Sequence, residues 1–175
     1  MEIFIHWKPV EKKINLNSHQ MKTKILMVCL GNICRSPVAE GVLRDMATKS
    51  QLNIEVDSAG TSGFHNGEPP DRRTTENAMK NGIDLRSLRS RKFTKSDFDR
   101  FDFIYVMDSS NFRDVLLLSD EKKHHEKVDF LLNATYPGTN KNVPDPYYGG
   151  EKSFEEVFQL IKSACEKIAE KFFEK

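Results

Sequence analysis

An α/β fold, with a four-stranded, mainly parallel sheet and helices on both faces, is predicted by three observations. An apolar run from Ile25 to Leu30 stops at Gly31-Asn32 and is followed by a stretch with helical spacing. Strand candidates then alternate with helix candidates, which implies right-handed crossovers. The last segment carries apolar residues at helical intervals and closes the layered arrangement. The length of 175 residues is that of one domain, which can bury about two thirds of its unfolded surface.

Lys24 to Val28 is short and apolar, suited to a strand buried on both faces. Pro37 to Lys49 reads as a helix whose apolar face is Val38, Val42, Leu43, Met46 and Ala47, with Ser36 as the expected N-cap and Pro37 in the first helical position. Asn53 to Ser58 alternates as a strand, with Ile54, Val56 and Ser58 on one side. Ala59 to Asp71, rich in glycine and proline, is a loop with Phe64 and His65 as its contact residues. Asp71 to Asn81 is a helix stopped by Gly82.

Arg86, Arg89, Arg91 and Lys92 form a basic cluster, read as a solvated segment. Thr94 opens a short helix to Arg100, and Phe101 to Met107 is a strand rich in aromatic and β-branched residues. Asp108 to Asn111 starts a helix that runs to about Leu118. His124 and His125 lie in a charged run and are expected to be exposed, and Lys127 to Leu132 supplies the fourth strand. Pro144 and Pro146 stiffen the backbone around Asp145. In the final helix, Glu151 to Phe173, Cys165 falls on the apolar face.

Composition excludes several classes of partner. A net charge of +1 with interspersed signs gives no general attraction to nucleic acid. The longest apolar run is too short for membrane insertion. Three cysteines make no secreted disulfide framework, which points to a reducing cytoplasm, and neither histidine spacing nor cysteine spacing indicates a metal. No cofactor is expected. Residues 1–20 lack the pattern of a secretory signal and are expected to be a poorly ordered extension before a domain at 21–175, with a docking arm using Ile3, Phe4, Ile5 and Trp7 as the alternative.

The stretch from Val28 to Pro37 carries the chemistry. Gly31 and Asn32 tolerate positive φ, so the loop can curl until its backbone N–H groups form an anion-binding nest at the positive end of a helix dipole. Cys29 then lies among donors that stabilise a thiolate, and Arg35 supplies a planar fork matching two phosphate oxygens. A bare Cys-x5-Arg pair is weak, but here a strand candidate precedes it and a helix candidate follows.

With C-L-G-N-I-C-R-S-P near the start of the domain and D-P-Y-Y-G near its end, the chain resembles the low-molecular-weight protein tyrosine phosphatases from about Met21 to Lys175. The resemblance supplies the strand order and implies a protein-tyrosine-phosphatase that forms a phosphocysteine on Cys29, with Arg35 holding the phosphoryl oxygens and Asp145 as the acid. Leu30, Gly31, Asn32, Ile33, Cys34 and Ser36 would line or support the phosphate site, Phe64 would flank the substrate ring, and Tyr147 and Tyr148 would shape the rim beside the acid. Asn32, Ser36 and Asp108 would brace the loop. The implied partners are tyrosine-phosphorylated proteins, and the implied state is a monomer or weak dimer.

Three alternatives stand beside this reading. A protein arginine phosphatase shares the scaffold but favours threonine where this chain has Ile33. An arsenate reductase needs two further relay cysteines, and a noncatalytic phosphate-binding protein would be expected to lose Cys29, Arg35 or Asp145. A reversible Cys29–Cys34 disulfide across the loop is a further hypothesis. Peroxide treatment followed by mass spectrometry is expected to reveal that link, and exclusive overoxidation of Cys29 would count against it.

Overall fold

The computed structural model describes residues 21–173, and the expected disorder or docking role of residues 1–20 lies outside them. The central strand β1 (Thr23–Cys29) is the apolar run, and its alternating side chains feed two cores. Ile25 and Met27 point to one face, and Leu26 and Val28 to the other. All four are fully buried, so the strand is continuous in hydrophobicity and not alternating.

After β1 come α1 (Arg35–Lys49), β2 (Ile54–Gly60), α2 (Arg72–Lys80) and the short α3 (Asp97–Arg100). They are followed by β3 (Phe103–Val106), α4 (Ser109–Leu116), the short α5 (Lys122–His125) and β4 (Val128–Phe130). A 3-10 turn (Leu131–Ala134) and the long α6 (Glu151–Phe173) complete the chain. The strands pair in the order β2-β1-β3-β4, and each of the three pairings is parallel. One face packs α1 and α6, through Val38, Val42, Leu43, Phe158, Ile161, Cys165 and Ile168. The other packs Phe93, Phe98, Phe101 and Val115. Burying each phenylalanine contributes about 1.5–3 kcal/mol.

The edges of the elements differ from the sequence expectation for identifiable reasons. Ser36 is not the N-cap of α1. The helix already includes Arg35, and the Ser36 hydroxyl is turned inward toward Cys29. The fourth strand ends at Phe130 because Leu131 and Leu132 wind into the 3-10 turn and pack on the α6 side of the sheet. His124, expected at the surface, is 2% exposed. Its ring stacks on Phe98 at 4.7 Å, and its Nδ1 lies 2.7 Å from Ser119 Oγ. Asp71 and Asp108 cap α2 and α4, accepting from the backbone N–H groups of Arg73 and Asn111. Among the described residues no helix is long and apolar enough to cross a membrane.

The strand order reverses beside β1: the chain goes to β2 on one side, then returns to β3 on the other. Ligands of such sheets bind beyond the carboxyl ends of the strands at that crevice. The register brings Cys29 level with Gly60, and Val28 level with Val106, so the turns after β1, β2 and β3 meet there.

Gly60 is needed for that meeting, since a Cβ on it would lie 2.7 Å from the Leu30 carbonyl oxygen. Gly60→Ala is expected to destabilise the fold by about 1–3 kcal/mol, the usual cost of overpacking. Urea unfolding measures this, and an unchanged midpoint would mean that the loop yields freely.

Candidate active site

The end of β1 carries Cys29, 3% exposed, at the base of a cavity of about 250 Å³. The chain curls over it because Asn32 adopts a φ of 54°, the left-handed conformation that asparagine tolerates better than most residues. The Asn32 N–H donates to Cys29 Sγ at 3.2 Å. The side-chain amide of Asn32 donates to Ser36 Oγ at 2.9 Å and to Ser58 Oγ at 2.8 Å, while its oxygen accepts from the Arg91 N–H at 2.9 Å.

Those bonds have a direction. Ser58 donates its hydroxyl hydrogen to Glu40 Oε2 at 2.5 Å, which leaves its oxygen to accept from Asn32. Ser36, accepting from Asn32, keeps its own hydrogen, which faces Cys29 Sγ at 3.0 Å and the Ala59 carbonyl at 3.4 Å. The Asn32 amide thus links the buried carboxylate on one side to the sulfur on the other, its two hydrogens directed to Ser58 and to Ser36. Glu40 also pairs with Arg44 one turn along α1.

Arg35, nearly fully buried, reaches three groups. Nη1 donates to Asp108 Oδ2 at 2.6 Å and to the Val143 carbonyl at 3.1 Å, and Nη2 lies 3.3 Å from Asp145 Oδ2. Burial pulls its guanidinium down, but Cys29, Asp108 and Asp145 outweigh that and hold it above its ordinary value. Asp108 stands just past β3, whose carboxyl end adjoins the loop, and its other oxygen caps α4, so one carboxylate serves both Arg35 and the helix. The Val143 N–H donates to the Met107 carbonyl at 2.7 Å, which returns the polar 133–143 segment to the site and delivers Asp145.

Of the residues named from the sequence, Leu30, Gly31, Ile33, Cys34, Tyr147 and Tyr148 line the cavity together with Cys29, Arg35 and Asp145. Asn32 and Ser36 support the loop from behind. Phe64 does not join them: it is 89% exposed and outside the cavity. His65 takes the wall position instead. It packs against Gly31, where a Cβ would lie 3.1 Å from His65 Cδ2, and its Nδ1 meets Glu68 Oε2 at 2.7 Å. With His65 turned inward, its neighbour faces solvent. Cys29, Cys34 and Cys165 are free thiols, and burial pushes Cys34 up to about 12.

Sequence reading missed Glu40, Ser58 and Arg91. The signals were a serine on the inward side of β2 and a carboxylate within the buried stretch of α1. Arg91, read as part of a solvated cluster, forks onto Asp57 Oδ2 at 2.9 and 3.1 Å and reaches Asp97 at 3.1 Å. Its neighbour Ser90 donates to the Gly31 carbonyl at 3.1 Å, so this segment is part of the loop's support.

A thiol beneath curled backbone donors, with an arginine and a carboxylate converging on it, defines a site built for a tetrahedral oxyanion. The family model for low molecular weight phosphotyrosine protein phosphatase matches residues 24–175. The human low molecular weight phosphotyrosine protein phosphatase is 40% identical over 156 residues, covering 88% of this chain and 98% of its own. The crystal structure of YfkJ from Bacillus subtilis superimposes with a TM-score of 0.82 at 38% identity, covering 90% of this chain and 98% of that one. Wzb from Vibrio vulnificus, solved in complex with benzylphosphonate, gives a TM-score of 0.76 at 30% identity, with 85% and 98% covered. The chain belongs to the low molecular weight phosphotyrosine protein phosphatase family.

Burial raises the Glu40 carboxyl above its ordinary value of 4.5, against the opposing pull of Ser58 and Arg44. Such a group holds its proton more tightly folded than unfolded. Its contribution to stability is therefore present below 4.5 and lost as pH rises through the raised value. Glu40→Gln is expected to flatten that slope in urea midpoints taken from about pH 4 to about pH 8. An unchanged slope would assign it to other groups.

Proposed function

We propose that the protein is a cysteine-dependent phosphatase of phosphotyrosine-bearing proteins, acting in the cytoplasm. The observation that carries this reading is the convergence of Cys29 Sγ, the Arg35 guanidinium and the Asp145 carboxylate on one cavity whose base is the thiol. A thiol that deep is reached by phosphorus at the end of a long, flat aryl ester more readily than by a short alkyl phosphate. Ile33, Tyr147 and Tyr148 offer apolar walls to such a ring. The benzylphosphonate held by the Vibrio relative, an aryl-bearing phosphonate, supports the same substrate class.

In the first step the Cys29 thiolate attacks phosphorus while the ester P–O bond breaks. Asp145, as a carboxylic acid, gives its proton to the departing phenolate. Arg35 and the loop N–H groups take the charge that spreads over the equatorial oxygens. In the second step water attacks the phosphocysteine, Asp145 accepts the water's proton, and the P–S bond breaks to release phosphate and the thiolate. The hydroxyl of Ser36, 3.0 Å from Sγ, stabilises the sulfur as nucleophile and as leaving group. Cys165, fully buried on the inner face of α6, offers no electron relay of the arsenate reductase kind.

Hydrolysis of phosphotyrosine, phosphoserine and phosphoarginine peptides, without added metal, tests the reading. The wild type is expected to prefer phosphotyrosine and Cys29→Ser to lose turnover. Asp145→Ala should cost about 100-fold or more on phosphotyrosine and less on an activated aryl phosphate. Preference for phosphoarginine would transfer the chemistry to a different substrate, and hydrolysis retained by Cys29→Ser would overturn the nucleophile.

A further inference from the structure

The segment bearing Asp145 is tied to the rest of the site through one exposed side chain that the mechanism does not use. Arg73, in the first turn of α2, is 44% exposed, yet every part of its guanidinium is engaged. Nε and Nη2 grip the two oxygens of Asp71 at 3.1 and 2.9 Å. Nη1 donates to the Tyr147 carbonyl at 2.9 Å. Its Cζ lies 5.2 Å from the Tyr147 ring centroid and 4.8 Å from that of Phe154.

Each end of this clasp leads to the chemistry. On one side, the Asp71 N–H donates to the Ile33 carbonyl at 2.8 Å, which joins the clasp to the phosphate loop. On the other, the Tyr147 N–H donates to Asp145 Oδ1 at 3.1 Å, which sets the rotation of the carboxyl group and leaves Oδ2 facing Arg35. Holding the Tyr147 carbonyl therefore holds the turn that aims Asp145. A planar fork can meet a carboxylate, a carbonyl and two rings at once, and a single ammonium cannot.

We propose that Arg73 is a positioning residue for Asp145, registering the acid against the phosphate loop through Asp71 and Tyr147. The proposal rests on the reading of Asp145 as the acid. It concerns leaving-group protonation and not phosphate binding. Misplacing a proton donor by a fraction of its hydrogen-bond length slows only the reactions that need the proton.

The test compares phenyl phosphate with dinitrophenyl phosphate, two aryl esters far apart in their need for leaving-group protonation, in wild type, Arg73→Met, Asp145→Ala and the double variant. Arg73→Met is expected to lower kcat/KM for phenyl phosphate by about tenfold and to leave dinitrophenyl phosphate within about twofold. Competitive inhibition by inorganic phosphate should be unchanged. The double variant should be no slower on phenyl phosphate than Asp145→Ala alone.

Equal losses on both substrates, weakened phosphate inhibition, or multiplied losses in the double variant would overturn the proposal. If Asp145→Ala itself treats the two substrates alike, the acid assignment falls and the clasp with it. If only Asp145→Ala discriminates, the clasp alone falls. Asp71→Asn keeps an oxygen to cap α2 while removing the paired charge, and it is expected to discriminate in the same direction more weakly. This second variant decides the matter should Arg73→Met fail to fold, and absence of discrimination in it would then overturn the proposal.

Discussion

The site depends on the curl of the chain between Cys29 and Arg35, and that curl depends on Asn32. A left-handed backbone costs a non-glycine residue about 1–2 kcal/mol. Here the same residue recovers the cost through its side chain, whose amide and oxygen are bonded to Ser36, Ser58 and the Arg91 backbone. A buried hydrogen bond contributes about 0.5–1.5 kcal/mol net, so three of them can hold the strained turn. The direction of the bonds matters as much as their number. The Asn32 amide is a branch point, with one hydrogen directed to Ser58, which donates on to Glu40, and the other to Ser36, whose hydroxyl lies beside the sulfur.

Charge is arranged by the same economy of buried partners. Arg35 is almost sealed from water, a position that would be costly for a lone guanidinium. Two carboxylates, a carbonyl and the Cys29 sulfur surround it. They come from three segments, the end of β1, the turn after β3 and the 143–145 stretch, and the first two meet because parallel strands all end on the same side of the sheet. Arg91 repeats the device behind the loop, bridging Asp57 at β2 and Asp97 at α3. One arginine faces the cavity; the other secures the loop that forms it.

The rim is built differently. Tyr148 is 95% exposed, and the acid lies on a turn stiffened by Pro144 and Pro146. The buried base thus has its geometry over-determined by hydrogen bonds, whereas the rim is positioned by proline restraint and by contacts such as those of Arg73. That contrast suits a catalyst whose phosphate contacts stay constant while the protein presented at the rim varies.

Much of this was legible in the amino-acid sequence, because the deciding interactions are local. The apolar run of β1, the loop composition, the aspartate that opens α4 and the apolar face of α6 each express propensities within a few residues. The Cys29 and Arg35 spacing lies within one loop, which is why the chemistry could be read there. What the tertiary structure decided involves partners far apart in the chain: Glu40 with Ser58, Asn32 with Arg91, Arg35 with Val143, and Arg73 with Tyr147. Their proximity follows from strand register and from where each connection returns to the sheet, neither of which periodicity encodes. The exchange of Phe64 for His65 has the same cause. Bonds from the 61–67 segment to Cys29, Leu30 and Ser90 set its path, and that path determines which of two adjacent rings faces the cavity.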